Sequence, residues 1–447
     1  MNSFSTFSFH SFSFDYKHLQ AKFTYAFDDQ LFTEMINFST PVKKIRLNID
    51  ETIINNILKH IHIAVWISYY KLSPTAEILV PDRRTAKMLT FRKKFYLNGL
   101  GELMFVNGLS PSCCASFSPA NNPSVPAGHL PWQGGKYDDY SPDRGMSEGQ
   151  GVINNQLNDV ATGTGGKLLF FWGWKDSLVS VELLKQQHQP FTLRSMGDLP
   201  LHTLAASKVD APRIIQTRQL DPKLFEMNAS GKRYNGHVPI TGILSFISLL
   251  TAYLYEFDEI ILSNEKSANI GNTTLDGVEI NHQWSKSEDF EKAFQNYIKN
   301  LHLPIRYYSL LRQRDELRIV EEFCKYPQYF HSFSSCNRNF HLRGPQLSSD
   351  QLRCGQCPKC AFVYTMMRTF LPAETVNDIF HKNLFTDETL LPLFRELLGI
   401  EGTKPFECVG TKEEMLEALR LINKRWFQEG EGKIRQLLHL HISQKII

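Results

Sequence analysis

An excess of charge of either sign is missing from this chain. Its 447 residues carry 49 Lys and Arg against 46 Asp and Glu, and the net +3 is too small to predict nucleic-acid or anionic-membrane binding from bulk charge. Any anionic ligand must therefore be held by local groups. A membrane-spanning run is missing too. The one long apolar stretch, Pro239 to Phe257, is uncharged except for Glu256 and carries Thr241, Ser245, Ser248, Thr251, Tyr253 and Tyr255. It reads as a buried helix followed at once by a strand, with no second span and no membrane insertion. Met1 to Asp15 is rich in Ser and Phe but lacks the basic start, continuous apolar run and cleavage site of a secretory leader, so a cytoplasmic protein is expected. No internal repeat is present. A disulfide framework is missing as well: of eight cysteines, Cys354, Cys357 and Cys360 share one seven-residue window, where a stapled fold would spread them out.

With 42% hydrophobic and 21% charged residues, the chain has the composition of a folded protein, and its length implies two or three packed units. Residues 4 to 50 alternate aromatic and polar positions, as in Phe7, Phe9, then Phe12, Phe14, then Phe23, Tyr25, Phe27, which predicts a small antiparallel sheet. Helical spacing follows over Glu51 to Tyr70 and over Arg83 to Val106, the latter broken near Gly99 to Gly101. Between 110 and 166 the composition shifts to Pro, Ser, Gly and Asn, the pattern of a linker or of a loop that covers a binding site. From Lys167 strands alternate with helices, which predicts a parallel, doubly wound sheet whose ligands gather at the carboxyl ends of strands. The expected division is an N-terminal α+β domain over 1–109, the linker over 110–166, a nucleotide-binding α/β domain over 167–370 and a helical region over 371–447.

The strand Leu168 to Trp172 turns directly into a helix. Such a turn aims unpaired N–H groups along the positive end of the helix dipole and makes an anion site before any side chain is counted. Lys175 adds a point charge, Asp176 could orient a magnesium-bound phosphate, and Ser177 could cap the helix or touch phosphate oxygen. The segment Trp172-Gly173-Trp174-Lys175-Asp176-Ser177 resembles the PP-loop ATP pyrophosphatase superfamily, whose motif reads Ser-Gly-Gly-any-Asp-Ser. Gly173, Asp176 and Ser177 match; Trp172 replaces the serine, and Trp174 replaces a glycine whose bare backbone lets pyrophosphate approach. Read alone, the hexapeptide is equally an ordinary strand-to-helix turn.

Cys336, Cys354, Cys357 and Cys360 form a C-x17-C-x2-C-x2-C pattern in which three thiolates turn about one ion and a distant fourth closes a tetrahedron. Four sulfurs make a closed structural zinc site with no open position for water. An iron–sulfur cluster takes the same ligands, and buried free cysteines are the plain alternative. A PP-loop strand paired with a C-terminal Cys-x2-Cys-x2-Cys is similar to 7-cyano-7-deazaguanine synthase, a zinc-containing PP-loop enzyme that activates a carboxylate with ATP.

Longer stretches carry a closer resemblance. They are Tyr96 to Asn107, Asn235 to Pro239, Ser263 to Asn269, Asn281 to Ser287, Ser334 to Arg338, Cys357 to Cys360 and Lys404 to Gly410. Together they resemble the MurL family, the UDP-N-acetyl-α-D-muramoyl-L-alanyl-L-glutamate epimerases. The resemblance implies an ATP- and magnesium-dependent inversion of the terminal L-glutamate of UDP-MurNAc-L-Ala-L-Glu, a peptidoglycan precursor. Removing a proton next to a carboxylate piles negative charge beside an anion; an acyl-adenylate removes that charge, so an enolate can form and be reprotonated from the other face. An acid/base pair on two faces of Cα is then required. Candidates are Cys408, His237, Glu265 and His282, each in a dense polar motif, although a buried thiol, a turn residue, a helix-start charge and a structural hydrogen-bonder are their plain readings. Lys266, Lys286, Arg338 and Lys404 are candidates for the diphosphate and carboxylates. Asn264, Asn269 and Asn281 could hold amides and sugar or cap turns. The competing readings are a PP-loop carboxylate-activating ligase and a non-catalytic nucleotide-binding homologue.

Overall fold

The computed structural model describes residues 4–80, 89–114, 116–119, 166–334, 336–340, 352–425, 432–434 and 436–437. Twelve strands occur among them: β1 (Thr6–Asp15), β2 (Gln20–Phe27), β3 (Gln30–Asn37), β4 (Glu77–Val80), β5 (Phe117–Pro119), β6 (Lys167–Phe170), β7 (Phe191–Met196), β8 (Arg213–Gln219), β9 (Glu259–Leu262), β10 (Thr273–Leu275), β11 (Val278–Ile280) and β12 (Arg306–Ser309). Ten form one sheet in the order β12-β9-β6-β7-β8-β3-β2-β1-β4-β5, while β10 and β11 form a separate hairpin.

The half from β12 to β8 is parallel throughout. It has its first strand, β6, at the centre, so successive crossovers run out in both directions and leave a switch point between β6 and β9, where open α/β sheets bind their ligands. Side chains alternate across such a sheet. Leu168 and Phe170 enter one apolar core with the helices Glu51–Val65 and Ile240–Leu254; Leu169, and Phe171 just past the strand, enter a second core with Lys175–Gln186, Glu316–Phe323 and Pro358–Arg368. The expected mixed α/β architecture with a large, mostly parallel sheet is therefore present.

The predicted antiparallel sheet is β1 to β3. The slip in aromatic phase from Phe9 to Phe12 is a β-bulge: Phe9 lies opposite Tyr25 and Ser11 opposite Thr24, so one extra residue restores Phe12 to register with Phe23. This unit is not a separate sheet, because β3 pairs antiparallel with β8 through Met35–Gln219, Ile36–Arg218 and Asn37–Thr217. Arg218 Nε donates to buried Glu34 at 2.6 Å across the seam.

The Pro239 stretch is a helix over Ile240–Leu254, and Thr241 to Leu254 are all buried. Two of its hydroxyls are bonded inside the protein: Ser245 Oγ donates to the Thr241 carbonyl at 2.8 Å, and Gln216 Nε2 donates to Thr251 Oγ1 at 2.7 Å. No helix among the described residues is long and apolar enough to cross a membrane. The helix ending at Gly99 and the one starting at Gly101 break where expected. The start of the expected linker contributes edge strand β5, which pairs with β4, and residues 120–165 lie outside the described residues.

Candidate active site

At the carboxyl end of β6 the chain makes the predicted turn. Gly173 has φ +69, in the left-handed region, and a Cβ there would lie 3.0 Å from the Ala205 Cβ. Trp174 caps the helix Lys175–Gln186 with no side-chain cap bond, and Ser177 Oγ donates to the Trp174 carbonyl at 2.8 Å. Lys175 is 2% exposed; its ammonium pairs with Asp176 and with Glu316 Oε2 at 2.5 Å. The lysine's charge is thus spent on carboxylates. Burial, with Asp176, Glu265 and Glu414 nearby, pushes the Glu316 carboxyl up to about 8 against the pull of Lys175.

Cations nevertheless face this loop. Lys359 Nζ lies 3.4 Å from the centroid of the Trp174 indole, and Lys286 Nζ lies 5.0 Å from it. Lys286 also donates to Cys408 Sγ at 3.0 Å. Burial opposes ionisation of Cys408, but the charges of Lys286 and Lys359 and a hydrogen bond from His282 outweigh it and hold the thiol down at about 5. Burial likewise opposes the charge on His282, yet bonds to Cys408 and Glu102 lift it to about 9. At neutral pH the arrangement is a thiolate–imidazolium pair.

Glu102, on the short helix Gly101–Val106, bonds His282 Nδ1 and so orients the ring; His237 lies against the same ring with centroids 4.1 Å apart. Burial and the charges of His282, Lys286 and Lys71 keep His237 neutral, well below its usual value. The Cys408 segment is pinned at several points. Asn272 Nδ2 donates to the Pro405 carbonyl at 2.9 Å, and Glu407 Oε2 accepts from the Lys359 N–H at 3.2 Å. Lys286 is aimed by Arg312, whose Nη2 donates to the Lys286 carbonyl at 2.7 Å and whose Nη1 donates to the Glu265 carbonyl at 3.0 Å.

Cys408, His237 and His282 therefore converge with Lys286. Glu265 is buried at the end of β9, and its charge acts on Lys286 and Lys404. The Lys404 ammonium nitrogen is enclosed without a hydrogen-bond partner among the described residues, and burial lowers its affinity for a proton. Lys266 and Arg338 are exposed and bond to none of these groups among the described residues. Asn264 bonds through its backbone, its N–H donating to Ser309 Oγ and its carbonyl accepting from the same hydroxyl; Asn281 holds the Ala268 carbonyl and the Gln283 N–H, and Asn269 caps Glu288, so these serve the loops. Sequence reading passed over Glu102, Lys359 and Glu316. The first is the only acid on an otherwise apolar helical turn, a signal available in the sequence.

The four cysteines of the spaced pattern come together, with all four sulfurs within 4.8 Å of one another. Cys354 and Cys360 sulfurs are 3.9 Å apart, and those of Cys357 and Cys336 are 4.0 Å apart. Tetrahedral ligands at ~2.3 Å from one ion stand about 3.8 Å apart, so a single ion fits this cage. The N–H groups of Gln356 and Cys360 point at Cys354 and Cys357 sulfurs, both at 3.4 Å, and Gly355 makes the turn at φ +63. The cage adjoins the β6 loop on two sides: the Ser334 N–H donates to the Gly173 carbonyl at 3.0 Å, and Lys359 stands between two of the ligands.

Comparison with known proteins adds a family. The MurL N-terminal domain profile matches residues 1–136 and 145–310, and the MurL C-terminal domain profile matches residues 332–444. A curated UDP-N-acetyl-α-D-muramoyl-L-alanyl-L-glutamate epimerase of a Micromonospora species is 34% identical over 429 residues, covering 93% of this chain and 86% of its own. Proteins of the same name are 33% identical in Salinispora tropica, over 94% of this chain and 85% of the relative, and 34% identical in Xanthomonas oryzae pv. oryzae, over 86% and 78%.

Proposed function

The chain belongs to the MurL family of epimerases, and from that premise we propose that it inverts the terminal L-glutamate of UDP-MurNAc-L-Ala-L-Glu after ATP has converted the α-carboxylate to an acyl-adenylate. The observation that carries the reading is the contact chain from Trp174 on the β6 loop, through Lys286, to the Cys408–His282 pair. It supports the reading because it joins the strand-to-helix loop after β6, near the sheet's switch point, to an ionisable thiol and imidazole.

In this reading ATP and magnesium lie at the mouth of the β6 loop, and AMP and pyrophosphate are released. The Lys404 ammonium, without a hydrogen-bond partner among the described residues, and the ammonium of Lys286 meet the carboxylates or phosphates of the bound substrates, whose charges would satisfy them. Loss of the carboxylate charge lowers the barrier to removing the Cα proton, and the Cys408–His282 unit acts at that end of the substrate. The Cys336, Cys354, Cys357, Cys360 cage holds zinc and braces the loop; its close sulfur spacing favours one ion over a multi-iron cluster. The division at 110–166 separates an amino-terminal part that supplies Glu102 from the part that carries the β6 loop.

The test is incubation with UDP-MurNAc-L-Ala-L-Glu, ATP and magnesium in heavy water. AMP release with deuterium at the glutamate Cα is the expected result. AMP formation only on addition of an amine would replace the epimerase by a ligase, and neither product would leave a binding protein.

A further inference from the structure

Cys408 and His282 stabilise each other's charged forms, so they stand together and do not supply the two opposed groups that flank a Cα. What the geometry offers in their place is a nucleophile with its partner. The Cys408 sulfur is held at 3.0 Å by Lys286, and Lys286 also faces the Trp174 indole of the loop. Among the described residues, two buried polar atoms on segments next to Cys408 have no hydrogen-bond partner: the Lys404 ammonium nitrogen, on which the charge of Cys408 acts, and the side-chain oxygen of Gln283, a residue 2% exposed whose Nε2 approaches the Val409 carbonyl at 3.5 Å. A polar ligand group that satisfies them is brought to the segment that carries Cys408.

We propose that Cys408 takes the glutamyl group from the adenylate as a thioester and that Cα is inverted while the substrate is covalently held. The proposal rests on the acyl-adenylate reading above. The sulfur attacks the carbonyl carbon; the S–C bond forms, the C–O bond to phosphate breaks, and AMP leaves carrying the bonding pair. The proton of the His282 imidazolium passes to the departing phosphate. The ring, no longer beside a thiolate and still oriented by Glu102, is then a neutral base for the Cα proton, and a solvent-derived proton returns on the other face. A thioester suits this purpose because sulfur donates poorly into the carbonyl, so the enolate is better stabilised than in an ester or a carboxylate. Water finally adds to the carbonyl, the C–S bond breaks with its pair left on sulfur, and the two protons of the water pass to solvent, so that the free carboxylate and the thiolate are restored.

The experiment is a single turnover with UDP-MurNAc-L-Ala-L-Glu and ATP–magnesium, quenched in acid and read by intact-protein and peptide mass spectrometry. The expected result is an adduct of substrate mass less water on the Cys408 peptide, removed by neutral hydroxylamine. Cys408→Ala separates the steps: substrate-dependent exchange of pyrophosphate into ATP persists within about threefold, while the adduct and Cα deuterium vanish. AMP formation by the wild type with no adduct, or Cα exchange by Cys408→Ala, overturns the thioester and leaves the adenylate standing. Absence of pyrophosphate exchange in the wild type overturns the adenylate reading itself, and the thioester with it. Should Cys408→Ala fail to fold, the wild-type adduct and its hydroxylamine sensitivity decide alone.

Discussion

The ammonium of Lys286 donates to the Cys408 sulfur at 3.0 Å, from a position where its backbone carbonyl is held by Arg312 at 2.7 Å. The thiol therefore ionises far below its ordinary range. Peptide-level alkylation of Cys408 by iodoacetamide should follow a half-point near pH 5 in the wild type. Lys286→Met should move that half-point up by at least one pH unit, since it removes the nearest positive charge. An unchanged profile would show that Lys286 does not control the thiol.

Activity should be bell-shaped in pH. kcat/KM is expected to rise as pH climbs through about 5, where Cys408 loses its proton, and to fall above about 9, where His282 loses its own, the limbs belonging to the pair. Stability follows the same signs. The thiolate, with a depressed folded value, contributes fully above its unfolded pKa and loses its share as pH falls through about 5; the imidazolium, with a raised one, contributes fully below its unfolded pKa and loses its share as pH rises through about 9. Glu102→Gln should draw in the alkaline limb while leaving the acid limb in place, read from the same rate profiles.

Trp174 stands where the motif has glycine, and its indole lies against two ammonium groups. Trp174→Gly should lower kcat/KM by roughly tenfold, the worth of a desolvated cation–π contact of about 1–2 kcal/mol, and Trp174→Phe should recover most of the loss. A gain in ATP use by the glycine variant would mean that the indole merely crowds the loop.

Removing the metal should cost both stability and activity. Purified protein is expected to hold one zinc per chain by elemental analysis, and Cys357→Ser should lose it. A deficit of about 3 kcal/mol would lower Tm by roughly 3 °C for a chain of this size. Finding iron, or no metal, would remove zinc from the cage.

Gly173→Ala tests the turn itself. With φ at +69 and the Ala205 Cβ 3.0 Å from the added methyl, the variant should lose about 1–2 kcal/mol in denaturant unfolding.

Much of this arrangement was legible from short-range pattern. The strand-to-helix turn after Phe170 and the cysteine spacing are local, and the chain closes them as their spacing predicts. The phase slip between Phe9 and Phe12 was visible as well, although only pairing with Tyr25 and Thr24 identifies it as a bulge. Partnership across long separations was not legible. Glu102 meets His282 from 180 residues away, and Glu316 meets Lys175 from 141 away. No periodicity encodes such meetings, because they follow from how layers stack and not from any one element. For the same reason Lys175 read as a free cation, and the structure gives its charge to Asp176 and Glu316.

The seam between β3 and β8, closed by Glu34 and Arg218, has a consequence for how substrate comes and goes. Two-domain enzymes often open and shut about a flexible crossing, one lobe swinging from the other. Here hydrogen-bonded backbone runs unbroken from β12 to β5, and the place where a hinge would sit is a strand pair with a buried ion pair across it. Motion that admits substrate to Cys408 is therefore expected in the segments over the carboxyl edge of the sheet, and not as a swing of one half of the sheet against the other.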